Sequence, residues 1–309
     1  MKKAMIIVNP SSGDEGALAY VSQLYEVIGD KFQQITIMAT TGAGDATEFS
    51  KQAAREKYDS LFWLGGDGTI SEGINGLAEE DYRPIVGIIP LGTTNNYARM
   101  LGLDMNPENA VQQYNDAKVT AVDIGRVNNR YFISTLSAGS VPESVQDVSS
   151  DMKTKYGTFA YLAEGFKALE SEETYPFTMN FDGEEIKDEF STIVIAVGHS
   201  VYGFGNFFAD AEIDDGQMYF MGLRKTNLGD KLSLIPEILK GGKADSDFLY
   251  TRSFKKATIQ MKASEDHQTT VDGNEGPGFP LDLEVLPHHI QMYSFLHTDE
   301  GFFDRLAEL

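Results

Sequence analysis

Short apolar runs and amphipathic stretches alternate along the first 125 or so residues. Runs of strand length occur at Ala4–Val8, Ile35–Met38, Leu61–Leu64, Ile85–Ile89 and Val119–Val122. Between them, Ala17–Val27, Asp45–Lys57, Thr69–Leu77 and Pro107–Asp116 space their apolar residues as helices do. Buried strands alternating with helices of this length predict a parallel, doubly wound sheet. From about Tyr131 the pattern changes. One helical stretch, Tyr156–Leu169, precedes a series of short strands: Phe177–Phe181, Thr192–Val197, Met218–Leu223, Ala257–Met261, Gln268–Val271 and Leu281–Val285. Turn signals such as Asp182-Gly183 and Asp215-Gly216 separate them. The predicted architecture is α/β plus mainly β. A doubly wound domain spans 1–130 and takes back about 298–309, and a β-rich, sandwich-like domain spans 131–297.

Composition narrows the chemistry. With no cysteine among 309 residues, disulfides, thiolate metal sites and cysteine nucleophiles are excluded. The five histidines show no helical His-x-x-x-His spacing, which argues against structural zinc. Lys2 and Lys3 followed by Ala4–Val8 resemble the start of a signal peptide, but the apolar run stops at Asn9-Pro10. No apolar run approaches the ~18 residues that would span a bilayer, so a soluble, cytoplasmic protein is expected. The net charge of −22 argues against nucleic acid and against indiscriminate adhesion to anionic membranes. Against that background, Arg224–Lys256 carries eight basic and four acidic residues.

Three polar loops follow strands of the first domain directly: Asn9-Pro10-Ser11-Ser12-Gly13, Gly65-Gly66-Asp67-Gly68-Thr69 and Pro90-Leu91-Gly92-Thr93-Thr94-Asn95-Asn96. In an open parallel sheet they converge on one edge, where ligands bind. Glycines admit a phosphate to the backbone, hydroxyls donate to it, and the following helix offers unpaired N–H groups. No Gly-x-x-x-x-Gly-Lys-Ser/Thr loop occurs, so this is not a P-loop ATPase. Gly198-His199-Ser200-Val201-Tyr202 lacks the second glycine of a nucleophile elbow.

The Gly65–Thr69 loop resembles the nucleotide-binding signature shared by diacylglycerol kinases, sphingosine kinases and NAD kinases. Asn9-Pro10-x-Ser12-Gly13, Gly44-Asp45-Ala46 and Pro90-Leu91-Gly92-Thr93-x-Asn95 resemble the lipid-kinase branch, the diacylglycerol kinase catalytic family. Ala209–Gly216 is similar to that family's metal-holding turn and Val271-Asp272-Gly273 to its catalytic loop. The resemblance implies an ATP- and Mg²⁺-dependent kinase acting on a lipid hydroxyl, with diacylglycerol first among substrates. It places Asn9, Ser11, Ser12, Gly13, Thr40, Gly66, Asp67, Gly68, Thr69, Glu72 and Thr93 around ATP. It gives metal roles to Asp67, Asp123 and Asp215, the last helped by backbone carbonyls near Glu212 and Gln217. It makes Asp272 the general base. Asp182-Gly183-Glu184 is a second Asp-Gly-Glu, which a plain hairpin turn explains. The implied partners are a lipid at a membrane surface, met through a peripheral contact to which Leu232–Lys240 and the basic segment could contribute, and a second copy in a homodimer.

Two positions depart from the family pattern. Asn96 stands where the family has an Asp, and Asn274 where it has a Glu. Asp14-Glu15 also sits beside the first phosphate loop. Two other functions compete on these grounds. One is a soluble NAD-kinase-like enzyme, which shares the Gly65–Thr69 signature but explains Asp215 and Asp272 less well. The other is a nucleotide-binding regulator of the same fold that has lost catalysis.

Overall fold

The computed structural model describes residues 1–13, 16–139, 174–201, 207–208, 210–225, 247–262 and 268–296. The helix predicted at Tyr156–Leu169, most of the basic segment, including Leu232–Lys240, and the C-terminal return at 298–309 lie outside these residues.

The four apolar runs at the start of the chain become β1 (Lys3–Val8), β2 (Gln34–Ala39), β3 (Ser60–Gly65) and β4 (Ile85–Pro90). They pair in parallel in the order β2-β1-β3-β4. All six residues of β3 are buried, as a central strand covered on both faces requires. The intervening elements are α1 (Ala17–Ile28), α2 (Asp45–Arg55), α3 (Asp67–Leu77), α4 (Asn96–Met100) and α5 (Pro107–Gln113). Helix α5 starts where its sequence dictates. The Asn106 side chain accepts the N–H groups of Glu108 and Asn109, and Pro107 occupies the first turn, where no N–H is needed. Helix α3 lies so close to β3 that a Cβ on Gly73 would come within 2.3 Å of the Trp63 ring.

The β-rich half comprises β5 (Lys118–Val127), β6 (Arg130–Phe132), β7 (Thr135–Gly139), β8 (Tyr175–Phe181), β9 (Glu184–Phe190), β10 (Thr192–Ala196), β11 (Met218–Leu223), β12 (Leu249–Phe254), β13 (Lys256–Met261), β14 (Gln268–Val271), β15 (Asn274–Gly278) and β16 (Leu281–Ser294). An antiparallel six-stranded sheet runs β12-β11-β10-β7-β14-β15. It faces the far half of the first sheet across an aromatic core that includes Phe177, Phe181, Phe190, Phe220 and Phe254. Alternation along β8 turns Phe177, Met179 and Phe181 into this core.

Strand β16 joins the two halves. The sequence predicts a strand ending at Val285, yet it continues to Ser294. The polar His288-His289 pair interrupts the apolar pattern, and the strand bulges there, with the register shifting between Leu286 and Ile290 and His288 at φ +49°. Beyond the bulge β16 pairs with β4 in parallel and remains antiparallel to β5, while before it β16 pairs with β13. The first sheet therefore runs unbroken through eight strands, from β2 to β9, and β5 on β16 and β6 on β5 bring it to ten.

Candidate active site

The phosphate-type loops after β1, β3 and β4 stand at one edge of the parallel sheet. Those after β3 and β4 touch backbone to backbone: a Cβ on Gly92 would lie 2.7 Å from Gly66 Cα, so neither position tolerates a side chain. Asn95, in the left-handed region at φ +49°, locks the loop after β4 by accepting the Gly92 N–H at 2.9 Å and donating to its carbonyl at 2.7 Å. Asn9 links the loop after β1 to them, its Nδ2 donating to Thr69 Oγ1 at 3.4 Å while its Oδ1 accepts the Ser11 N–H.

Beside these loops lies a cleft of about 640 Å³, of the size that suits a small-molecule ligand. Asn9, Ser11, Thr40, Gly68, Thr69 and Glu72 line it. Ser12, Gly13, Gly66, Asp67 and Thr93 sit on the same loops without forming part of the lining. Glu72 accepts the Ala46 N–H at 3.3 Å, joining α3 to the start of α2. Asp45 closes the turn before α2 by accepting from Thr41 and Gly42.

Asp67 opens α3, and its carboxylate also accepts the backbone N–H groups of Asn95, Asn96 and Tyr97 at the start of α4. Burial and the nearby charge of Asp272 push its pKa up to about 6, against those three N–H groups. Asp272 comes from the other half of the molecule, at the β14–β15 turn, with φ +48°. It is 8% exposed. Its Oδ1 accepts the N–H groups of Ser134 and Thr135, each at 3.0 Å, and its Oδ2 that of Ile133 at 3.1 Å. Burial raises its pKa, opposed by the same three N–H groups and by Arg130. Of the roughly four acceptor sites on a carboxylate, three are occupied, which leaves one for an incoming proton.

The remaining predicted metal residues have other partners. Asp123 is 1% exposed and clamps two segments onto β5, accepting the Gly216 N–H at 2.6 Å and the His288 N–H at the β16 bulge at 2.7 Å. Asp215 closes its own turn. Carbonyls near Glu212 and Gln217 are expected from sequence to face a cation with it. The N–H groups of these two residues donate to its carboxylate at 3.0 and 2.9 Å, and the Tyr219 hydroxyl donates at 2.5 Å. The Gln217 contact, two residues on, is that of an Asx turn, and the Glu212 contact ties the preceding residues back onto it.

Sequence reasoning misses three contributors. Helix α4 reads as loop because its five residues are too few for a periodic signal. The Thr94-Asn95 pair before Asn96 is a helix-start signal that could have found it. Asn75 and Arg130 also line the cleft, the latter from β6, and a lone basic residue in a strand carries no signal of its own. Asn274 lines the cleft as well, so the departure from the family pattern falls within the site.

Two family models match the chain in succession. Residues 3–127 match the diacylglycerol kinase catalytic domain, and residues 134–294 match the YegS C-terminal NAD kinase beta sandwich-like domain. The chain is 34% identical over 297 residues to a diacylglycerol kinase of Bacillus subtilis (strain 168), covering 94% of this chain and 96% of that one. It is 31% identical to a diacylglycerol kinase of Staphylococcus carnosus (strain TM300), covering 95% of each. A crystal structure of a diacylglycerol kinase from Bacillus anthracis str. Sterne superposes with a TM-score of 0.79 at 25% identity, covering 95% of this chain and 97% of that one.

Proposed function

We propose that this chain, which belongs to the diacylglycerol kinase catalytic family and is an ATP-using lipid kinase, transfers the γ-phosphate of ATP to the free hydroxyl of diacylglycerol, yielding phosphatidic acid and ADP. The observation that carries this reading is the meeting of Asp67 and Asp272. One comes from each half of the molecule, and they lie within electrostatic range of each other beside the nucleotide-sized cleft.

In this reading the start of α3 and the glycine loops receive the phosphates, whose charge suits unpaired helix N–H groups. Asp272 accepts the lipid hydroxyl proton at its one open acceptor site as that oxygen bonds to the γ-phosphorus and the bond to the β-phosphate oxygen breaks. Three backbone N–H groups hold the carboxylate in place, so little reorganisation is needed during transfer. The nature of the substrate also calls for a peripheral contact with a membrane surface.

Mg²⁺ belongs to the proposal. The ion is typically held by one or two carboxylates together with substrate phosphates and water rather than by a protein cage. Among the described residues no three His, Asp or Glu side chains gather into such a cage. Asp67 suits the sparser donor set, because its carboxylate is desolvated and repelled by Asp272 and a cation would stabilise its charge. Bound there, the ion would neutralise charge on the phosphates.

Transfer from radiolabelled ATP to a lipid panel in mixed micelles tests the reading. Label in phosphatidic acid, with diacylglycerol preferred over sphingoid bases, is the expected result. ATP bound without transfer to any lipid would overturn it in favour of a regulator. The presence of Asn274 in the cleft lining gives that outcome a specific cause.

A further inference from the structure

The cleft is nearly uncharged. Hydroxyls, amides and small side chains make up its lining, with Glu72 as the one carboxylate and Arg130 as the one cation among the described residues. In a chain of net charge −22, a polyanion held here needs a local positive group. Arg130 opens β6, and its place is set from the nucleotide side. Asn75 of α3 accepts the N–H of the next residue, Tyr131, at 3.0 Å and donates to its carbonyl at 2.8 Å. The helix whose first turn faces the phosphate loops therefore also carries the segment that presents Arg130.

The guanidinium is fixed on its other side by the catalytic hairpin. Nη1 donates to the Glu275 carbonyl and Nη2 to the Val271 carbonyl at 3.5 Å. A guanidinium has five N–H donors, so these two contacts leave three, in a plane already oriented. The charge also lies close enough to Asp272 to favour its ionised form, which puts Arg130 at the reacting end of the cleft. A strut for the β14–β15 turn would explain the two carbonyl contacts. It does not explain why the strut is the one cation in the cleft lining among the described residues.

We propose that Arg130 binds the terminal phosphate of the nucleotide from the β-rich half, and so distinguishes ATP from ADP and joins the two halves of the site on nucleotide binding. This rests on the kinase reading. Planar, charge-assisted contacts of this kind are the strong ones, and two of them contact the carbonyls of the hairpin that holds Asp272. A bound γ-phosphate is thereby linked through one side chain to the general base.

Calorimetric titration of ATP and ADP into the full chain, in the presence of Mg²⁺, tests this with Arg130→Gln and Arg130→Lys. Gln keeps a planar amide donor for the carbonyls but no charge, whereas Lys keeps the charge without the fork. The expected result is that Arg130→Gln weakens ATP by roughly 10–100-fold, the worth of hydrogen bonds to a charged group, with ADP nearly unmoved. Arg130→Lys should retain much of the preference for ATP. Equal losses for both nucleotides in either variant, or an unaltered ratio with lowered thermal stability, would show a strut and overturn the proposal alone. A wild-type chain that binds neither nucleotide would instead bring down the kinase reading, and this inference with it.

Discussion

Two hairpins of this protein are built on the same dipeptide, and only one of them bears on the candidate site. Asp182-Gly183 joins β8 to β9 and Asp272-Gly273 joins β14 to β15, each as a two-residue loop with both residues at positive φ. The likeness extends to their contacts. Asp182 donates its N–H to the Lys256 carbonyl and its carboxylate accepts the N–H groups of Lys255 and Lys256. Asp272 donates to the Thr135 carbonyl and accepts from Ile133, Ser134 and Thr135. In both, the aspartate fastens a hairpin to a neighbouring strand. What differs is the surroundings: Asp182 is exposed, while Asp272 is buried beside Asp67 and Arg130. The clasp is common structural grammar, and what sets Asp272 apart is what the turn is pressed against.

The comparison breaks most visibly at the carboxylates themselves. Asp272→Asn should lower turnover by roughly 10²–10⁴-fold, the usual worth of a positioned base. It should also cost stability, because its amide would face the Ile133 N–H with a donor. Asp182→Asn should cost a similar amount of stability, about 1 kcal/mol, and leave turnover alone. Steady-state kinetics beside urea melts of both variants separate the two effects. Loss of turnover in Asp182→Asn with Asp272→Asn active would reverse the assignment.

Asp67, the acidic neighbour of only one hairpin, makes a second test. Its pKa is raised to about 6 in the fold from an ordinary 3.8. The folded state therefore holds that proton more tightly than the unfolded chain. The resulting stabilisation is complete below about pH 4 and is lost as pH rises through about 6. It amounts to about 3 kcal/mol, because a tenfold change in proton affinity is worth roughly 1.4 kcal/mol. Asp67→Asn should accordingly stabilise the nucleotide-free protein at pH 7.5, leave it little changed at pH 4, and abolish transfer. Urea denaturation at both values measures this. A variant less stable than wild type at pH 7.5 would show that the N–H groups at the start of α4 outweigh burial and repulsion.

The glycines of the two turns give the most even-handed test. A Cβ on Gly183 or Gly273 meets nothing within 4 Å, so alanine at either is penalised only for positive φ, by about 1–2 kcal/mol. Equal destabilisation, with turnover lowered only by Gly273→Ala, would show that the two turns differ in location and not in local energetics. A clearly larger stability loss at Gly273 would mean that the β14–β15 hairpin is held by its turn more than by its surroundings.

Much of this was legible in the sequence because it is local. Strand alternation placed Phe177, Met179 and Phe181 inward, and the four parallel strands and the helices between them followed from periods of two and 3.6 residues. The glycine loops and both Asp-Gly turns could be read for the same reason, since φ and chain reversal are set by neighbouring residues. Other features required the folded chain. His288 and His289 interrupt an apolar pattern, and only pairing with β5 and β4 shows that one strand continues through them and unites the sheet. The N–H groups that Asp123, Asp215 and Asp272 accept come from turns and strands whose approach depends on register and loop path. Arg130 is ordinary in sequence and becomes the one cation of the cleft lining, among the described residues, because α3 and the β14–β15 hairpin both dock against β6. The sequence by itself determined which short segments could fold and which turns could reverse them. The tertiary structure decided which carboxylate would be desolvated beside another, because burial and charge proximity are properties of surfaces brought together from distant parts of the chain.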